Sequence, residues 1–273
     1  MQLFYRTKGD PTLPPLIILH GLWGASDNWL QVAEFLCDDF HVILPDLRNH
    51  GRSPHSDTMN YEIMSQDLQV LIKELNLSQK PFIVGHSMGG KVLMTLLLRE
   101  PESIKKAVIL DIAPINYLLK NDSMHQMLSN FMLHFPLSDY LHRETIHRQI
   151  RSTFSSETFC QILFKNIRKG ANGFEWKVNI QAISKNMNTL YSWPISLSLS
   201  KDSLSQSLLF IRGEKSTYVT EKELETIFHF FPSAQIETLM DAGHFLHTDQ
   251  PTLLVQTLLR FLKQHLSLNE QIT

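Results

Sequence analysis

Short runs of apolar residues alternate along the chain with longer segments in which apolar positions recur every three or four residues. The short runs fall at 16–19, 42–44, 82–84, 107–110, 208–211 and 236–240. Bounded by turn residues, such runs predict buried strands of a mostly parallel sheet. Helical spacing marks 29–36, 61–75, 91–99, 221–231 and 252–266. Regular exchange of the two patterns predicts one open α/β sheet with helices on both faces. The first residues, Met1 to Thr7, enter a short aromatic strand-like stretch directly.

The alternation stops near residue 115 and resumes near 200. Between these points apolar residues keep helical spacing, as in Met124, Met127, Leu128 and Phe131, which predicts a helical insertion. The Ser- and Leu-rich stretch 196–207 predicts the linker back to the sheet. The chain thus divides into a core of 1–115 and 201–273 and a cap of 116–200. In the cap, His142, Arg143, His147, Arg148 and Arg151 form a basic set that is either a solvated helix face or a seat for an anionic leaving group.

Composition narrows the field of functions. A chain of 273 residues with 43% hydrophobic content buries one large core with room for a modest insertion. Charged residues make up 19% and the net charge is −2, so no basic field is available for nucleic acid. No window approaches the ~18 apolar residues of a membrane span, and no signal-peptide pattern opens the chain. Cys37 and Cys160 stand far apart and fit free thiols of a reducing compartment, so a cytoplasmic monomer or homodimer is expected. Neither a phosphate-binding glycine loop, a dinucleotide fingerprint nor a His/Cys cluster at metal spacing occurs, and no cofactor or metal is expected.

Candidate chemistry gathers at the strand ends. Gly85-His86-Ser87-Met88-Gly89-Gly90 follows one apolar run and precedes a helical pattern, the strand–turn–helix setting in which G-x-S-x-G holds a nucleophilic serine exposed on a sharp turn. Asp241-Ala242-Gly243-His244-Phe245 follows the last strand pattern, where an imidazole near its ordinary pKa of about 6.5 takes and returns the serine proton. His247 is its weaker competitor. An anionic oxygen needs two neutral donors, and these are assigned to the N–H groups of Leu22, within His20-Gly21-Leu22-Trp23-Gly24, and of Met88. The acid is open at this level. The position three beyond Gly213 is Ser216 rather than aspartate, leaving Asp111 at the end of its strand pattern, nearby Glu214, and Asp241 in contention. Trp23, Phe131, Phe135, Trp176 and Phe245 are candidate pocket residues. The Asp46-Leu47-Arg48-Asn49-His50-Gly51-Arg52-Ser53 loop is expected to bond locally around the elbow, with Asn49 and His50 as lesser candidates for substrate contact.

These motifs together, with Leu110-Asp111-Ile112-Ala113-Pro114 and Phe174-Glu175-Trp176-Lys177-Val178-Asn179, resemble those of the bacterial YbfF-type esterases and their mitochondrial abhydrolase-domain relatives over nearly the whole chain. The resemblance implies the α/β-hydrolase fold, with an eight-stranded, mostly parallel sheet flanked by helices and a helical cap inserted after strand 6. It also implies a cofactor-free serine hydrolase acting on a small acyl ester or thioester such as acyl-coenzyme A, with Asp111 as acid. Where relatives often carry a second glycine this chain has Glu214, which keeps Glu214 alive as an alternate acid. A lyase or C–C bond hydrolase on the same triad is the other enzymatic reading, and a non-catalytic small-ligand receptor on the same scaffold is the third.

Overall fold

A computed structural model describes residues 1–120, 123–193 and 208–264. The 196–207 linker expected from the sequence lies outside the described residues. The first half of the chain builds β1 (Tyr5–Lys8), β2 (Pro15–Leu19), α1 (Leu30–Leu36), β3 (His41–Pro45), α2 (Tyr61–Glu74), β4 (Phe82–His86), α3 (Met88–Arg99) and β5 (Lys106–Leu110). The insertion follows with α4 (Ser123–His134), α5 (Arg143–Thr153), α6 (Glu157–Lys165), the hairpin β6 (Ile167–Gly170) and β7 (Gly173–Trp176), α7 (Ile180–Lys185) and α8 (Met187–Tyr191). The chain closes with β8 (Leu208–Gly213), α9 (Glu221–Phe230), β9 (Gln235–Leu239), α10 (Leu246–Asp249) and α11 (Pro251–Lys263).

The main sheet runs in the order β1-β3-β2-β4-β5-β8-β9 and is parallel except for β1 against β3. Strand residues alternate between faces. Ile17, Ile43, Ile83, Ile109 and Phe210 pack toward α2, α3 and the insertion, whereas Ile18, Leu44, Val84, Val108 and Leu209 pack toward α1 and α11. Burial on both faces explains why these strands read as continuous apolar runs.

Two expectations are corrected. The sheet has seven strands among the described residues, not eight, so the insertion follows the fifth strand rather than the sixth. The segment before β1 adds no strand: the Phe4 carbonyl still accepts the Asp46 N–H at 2.8 Å, but the Phe4 N–H donates to Ser53 Oγ at 2.9 Å and the Met1 ammonium pairs with buried Asp67 at 2.5 Å. The insertion, read as helical throughout, also contains a β-hairpin in which Ile167 pairs with Trp176 and Gly170 with Gly173.

Candidate active site

The turn from β4 into α3 places Ser87. Its backbone sits at φ 51° and ψ −116°, a conformation costly for a residue with a Cβ and one found at functional sites. Neighbouring glycines make it attainable. A Cβ on Gly85 would lie 2.5 Å from the Gly89 carbonyl oxygen, and one on Gly89 would lie 2.7 Å from the carbonyl oxygens of Leu19 and His20. Strand and helix therefore cross at a distance that side chains forbid.

His244 stands on the loop after β9, with Nε2 3.1 Å from Ser87 Oγ and Nδ1 2.8 Å from Asp111 Oδ2. With Nδ1–H donating to the carboxylate, Nε2 is the acceptor for the serine hydroxyl. The Asp111 carboxylate also accepts from the Gly213 N–H at 2.9 Å and from Ser216 Oγ. The serine at the alternate acid position therefore serves the carboxylate of the neighbouring strand. Glu214 is turned away: it is exposed and its carboxylate accepts the Asp241 N–H at 2.9 Å. Asp241 pairs with Lys215 at 2.7 Å. Of the three candidate acids, Asp111 is the one brought to His244.

Two groups that the sequence reading missed hold the imidazole. The Tyr218 ring stacks on His244 with centroids 3.7 Å apart, and His86 Nε2 donates to the His244 carbonyl at 2.8 Å. Burial and the neighbouring His244 and His247 hold His86 well below its usual pKa, which fixes it as a neutral donor. No motif marks Tyr218, because its partner lies on another strand loop.

Met88 opens α3, so its N–H belongs to the first turn, whose donors lack intrahelical acceptors. Leu22 lies on the loop after β2. That loop is braced by the Gly24 N–H on the Gly21 carbonyl at 3.0 Å and by the Trp23 N–H on His50 Nε2 at 3.3 Å. His50 is fully buried and pushed down to about 3 by burial, and its Nδ1 faces the Arg48 carbonyl at 2.9 Å. His50 therefore supports the loop from beneath, and Asn49 accepts from the Asn179 N–H of the insertion at 2.9 Å. His247 lies stacked on Trp29 and is pushed by burial to about 3, away from the Ser87 hydroxyl that His244 meets.

Two cavities meet at Leu22. A compartment of about 30 Å³ is lined by Ser87, Met88, Tyr117, Met187, Leu190 and Tyr218, among others. A cleft of about 360 Å³ runs past Trp23, Trp29, His86, Ile162 and Phe245. Trp23 and Phe245 thus sit where pocket residues were expected. Phe131, Phe135 and Trp176 line neither cavity. Phe131 and Phe135, one helical turn apart, stack at 4.8 Å, Phe135 stacks on Tyr140 at 5.2 Å, and Trp176 Nε1–H donates to the Met132 carbonyl at 3.0 Å. Half-buried, they pack on neighbours within the insertion. The basic set also lines neither cavity: Arg143 donates to the Phe164 and Ile167 carbonyls and Arg151 pairs with Glu157. Among the described residues no group of three His, Cys, Asp or Glu is arranged to hold a metal, and no helix is long and apolar enough to cross a membrane.

A serine on a strained strand–helix turn, with an imidazole and a buried carboxylate in line behind it, defines a serine hydrolase. The chain belongs to the α/β-hydrolase fold family, whose model matches residues 14–251. It is 32% identical over 258 residues to the sn-1-specific diacylglycerol lipase ABHD11 of Mus musculus, covering 93% of this chain and 82% of that one. Esterase YbfF of Escherichia coli is 31% identical over 248 residues, covering 91% of this chain and 92% of its own. A solved marine microorganism esterase superposes with a TM-score of 0.89 at 38% identity, covering 95% of this chain and 99% of the other.

Proposed function

We propose that the protein hydrolyses carboxylic esters through Ser87 as nucleophile, His244 as general base and acid, and Asp111 as the orienting carboxylate. The observation that carries the reading is the unbroken hydrogen-bonded line from Ser87 Oγ through His244 to Asp111. His244 Nε2 takes the serine proton as Oγ attacks the acyl carbon, and the N–H groups of Leu22 and Met88 receive the developing oxyanion. Collapse of the tetrahedral intermediate expels the alcohol with the proton from His244. Water then attacks the acyl-enzyme, His244 accepts its proton, and the acid is released with Ser87 restored. Asp111 keeps Nδ1 protonated and stabilises the imidazolium.

Esterase and lipase relatives support the ester class. A thioester, including an acyl-coenzyme A, follows the same steps with a thiolate leaving group and is the finer form of the proposal. In this reading 116–200 caps a core formed by 1–115 and 201–273.

Hydrolysis of p-nitrophenyl esters by the wild type and by Ser87→Ala, with no metal or cofactor added, tests the proposal. Turnover in the wild type that disappears in the variant is expected. Equal turnover in both would overturn it.

A further inference from the structure

Lys91 interrupts the apolar face of α3 one turn after Ser87, to whose carbonyl its backbone N–H bonds at 3.1 Å. The side chain is buried, and Nζ donates to three carbonyls: Ile115 at 3.0 Å, Tyr191 at 3.1 Å and Ser192 at 2.9 Å. Ile115 stands where the chain leaves the sheet for the insertion, and Tyr191 and Ser192 stand at the end of α8. One ammonium therefore ties both ends of the insertion to the helix that carries the serine. Tyr61 of α2 adds a fourth bond, its hydroxyl donating to the Leu190 carbonyl at 2.5 Å. Three successive carbonyls at the C-terminal end of α8, a place where helix carbonyls lack partners, are thus satisfied from the core. A cation there also complements the helix dipole.

Three carbonyls require three N–H donors. A lysine ammonium has three, whereas the neutral amine has two. Burial pulls Lys91 down to about 7, and the three carbonyls oppose that loss of charge.

The helix held in this way is a wall of the site. Met187, Leu190 and Tyr191 line the 30 Å³ compartment together with Ser87 and Lys91. A space of that size takes about two water-sized groups. Every residue lining it is buried or half-buried, whereas the 360 Å³ cleft is rimmed by exposed Glu157, Gln161 and Thr248. Ser87 and Met88 line the compartment, and Leu22 borders both spaces. The alcohol must diffuse away and water must arrive before deacylation, which calls for the cleft that reaches solvent. The acyl group stays on Ser87 and falls to the smaller compartment that Ser87 lines.

We propose that Lys91 is a specificity-determining positioning residue. By clamping both ends of the insertion to α3 it keeps α8 close over Ser87, which limits the acyl group to a short chain and leaves the alcohol half free to be bulky. The inference rests on the ester-hydrolase reading and adds to it the acyl length and its cause.

The experiment is a kcat and KM series on p-nitrophenyl acetate, butyrate, octanoate and palmitate for the wild type, Lys91→Met, Tyr61→Phe and Met187→Ala. Thermal melting and fluorophosphonate labelling of Ser87 accompany each protein. The wild type is expected to lose about 100-fold in kcat/KM from butyrate to octanoate, the discrimination of a pocket that rejects extra methylenes. Lys91→Met keeps the length of the side chain and removes its donors, and it narrows that ratio to about tenfold, mainly through the KM for octanoate. Tyr61→Phe moves the ratio in the same direction by less, and Met187→Ala moves it by widening the compartment with the clamp intact.

A wild type that prefers octanoate or palmitate overturns the proposal. A folded, probe-labelled Lys91→Met with the wild-type chain-length preference does the same. Should Lys91→Met fail to fold, unchanged preference in both Tyr61→Phe and Met187→Ala decides against it. Failure of the wild type on every ester removes the underlying reading as well, and is seen before any variant is made.

Discussion

Around Ser87, Trp23, Phe245 and Tyr218 stand on loops at the ends of strands, and each either borders a cavity or lies on the imidazole. In the insertion, Phe131, Phe135, Tyr140, Phe154 and Trp176 are as aromatic, yet they pack on one another. Composition does not separate the two groups; attachment does. A side chain at the tip of a parallel strand has no further strand residue to cover it and is presented at the carboxyl edge of the sheet, where α/β folds bind ligands. In the insertion Phe131 meets Phe135 one helical turn on, and Tyr140, Phe154 and Trp176 close on that pair from the following loop, the end of α5 and β7, so the surface a ligand would need is consumed.

The largest effect that can test this contrast is at the strand tip. Asp111→Asn replaces the carboxylate that meets His244 Nδ1 and is expected to lower kcat about 10⁴-fold, the scale of a serine protease triad, with Ser87 still folded into its turn. Near-normal turnover would return the acid to another residue.

Acid should act next, and on the core loops. His50 and His247 are held near 3 by burial, below the unfolded value of about 6.5. The folded state therefore binds fewer protons than the unfolded state between these values. Stability is full above about pH 6.5 and falls as the pH drops, by up to about 1.4 kcal/mol per unit for each histidine. Melting temperatures recorded from pH 8 to pH 4.5 should be level at first and then decline, and a flat profile throughout would refute the buried neutral histidines.

A paired substitution sharpens the aromatic comparison. Phe135→Ala should cost about 1–3 kcal/mol of stability, because the side chain is half-buried in the cap cluster, with little change in KM. Phe245→Ala removes a wall of the cleft and should raise KM more than it lowers the melting temperature. The reverse outcome would make the cap cluster the binding wall. The smallest effect is assigned to Glu214→Gln, where an exposed carboxylate accepts the Asp241 N–H and kcat should stay within about twofold.

The strands and the helices of the core were legible because each carries one period over its whole length, interrupted by turn residues. Ser87 and His244 were legible because the turn that exposes a nucleophile needs glycine at fixed offsets, and those offsets are local in sequence. The acid was legible only as a preference for Asp111 over Glu214, since both follow strands and differ in which neighbour each meets: a Gly213 N–H and an imidazole, or the Asp241 N–H. The β6–β7 hairpin escaped because its strands are four residues each, although Asn172-Gly173, where the turn enters β7, is a turn signal. Lys91 is a charge inside the apolar stretch of α3, but its carbonyl partners lie 24 to 101 positions away, beyond the reach of any local pattern.

Asp111 and Ser216 arrive at the same spot from adjoining strands, and each touches the other. The carboxylate that steadies the imidazole is itself steadied from the neighbouring strand, by the Gly213 N–H and the Ser216 hydroxyl. The aim of His244 at Ser87 therefore depends on two strand ends keeping their register, and a slip between β5 and β8 would reach the nucleophile without touching it.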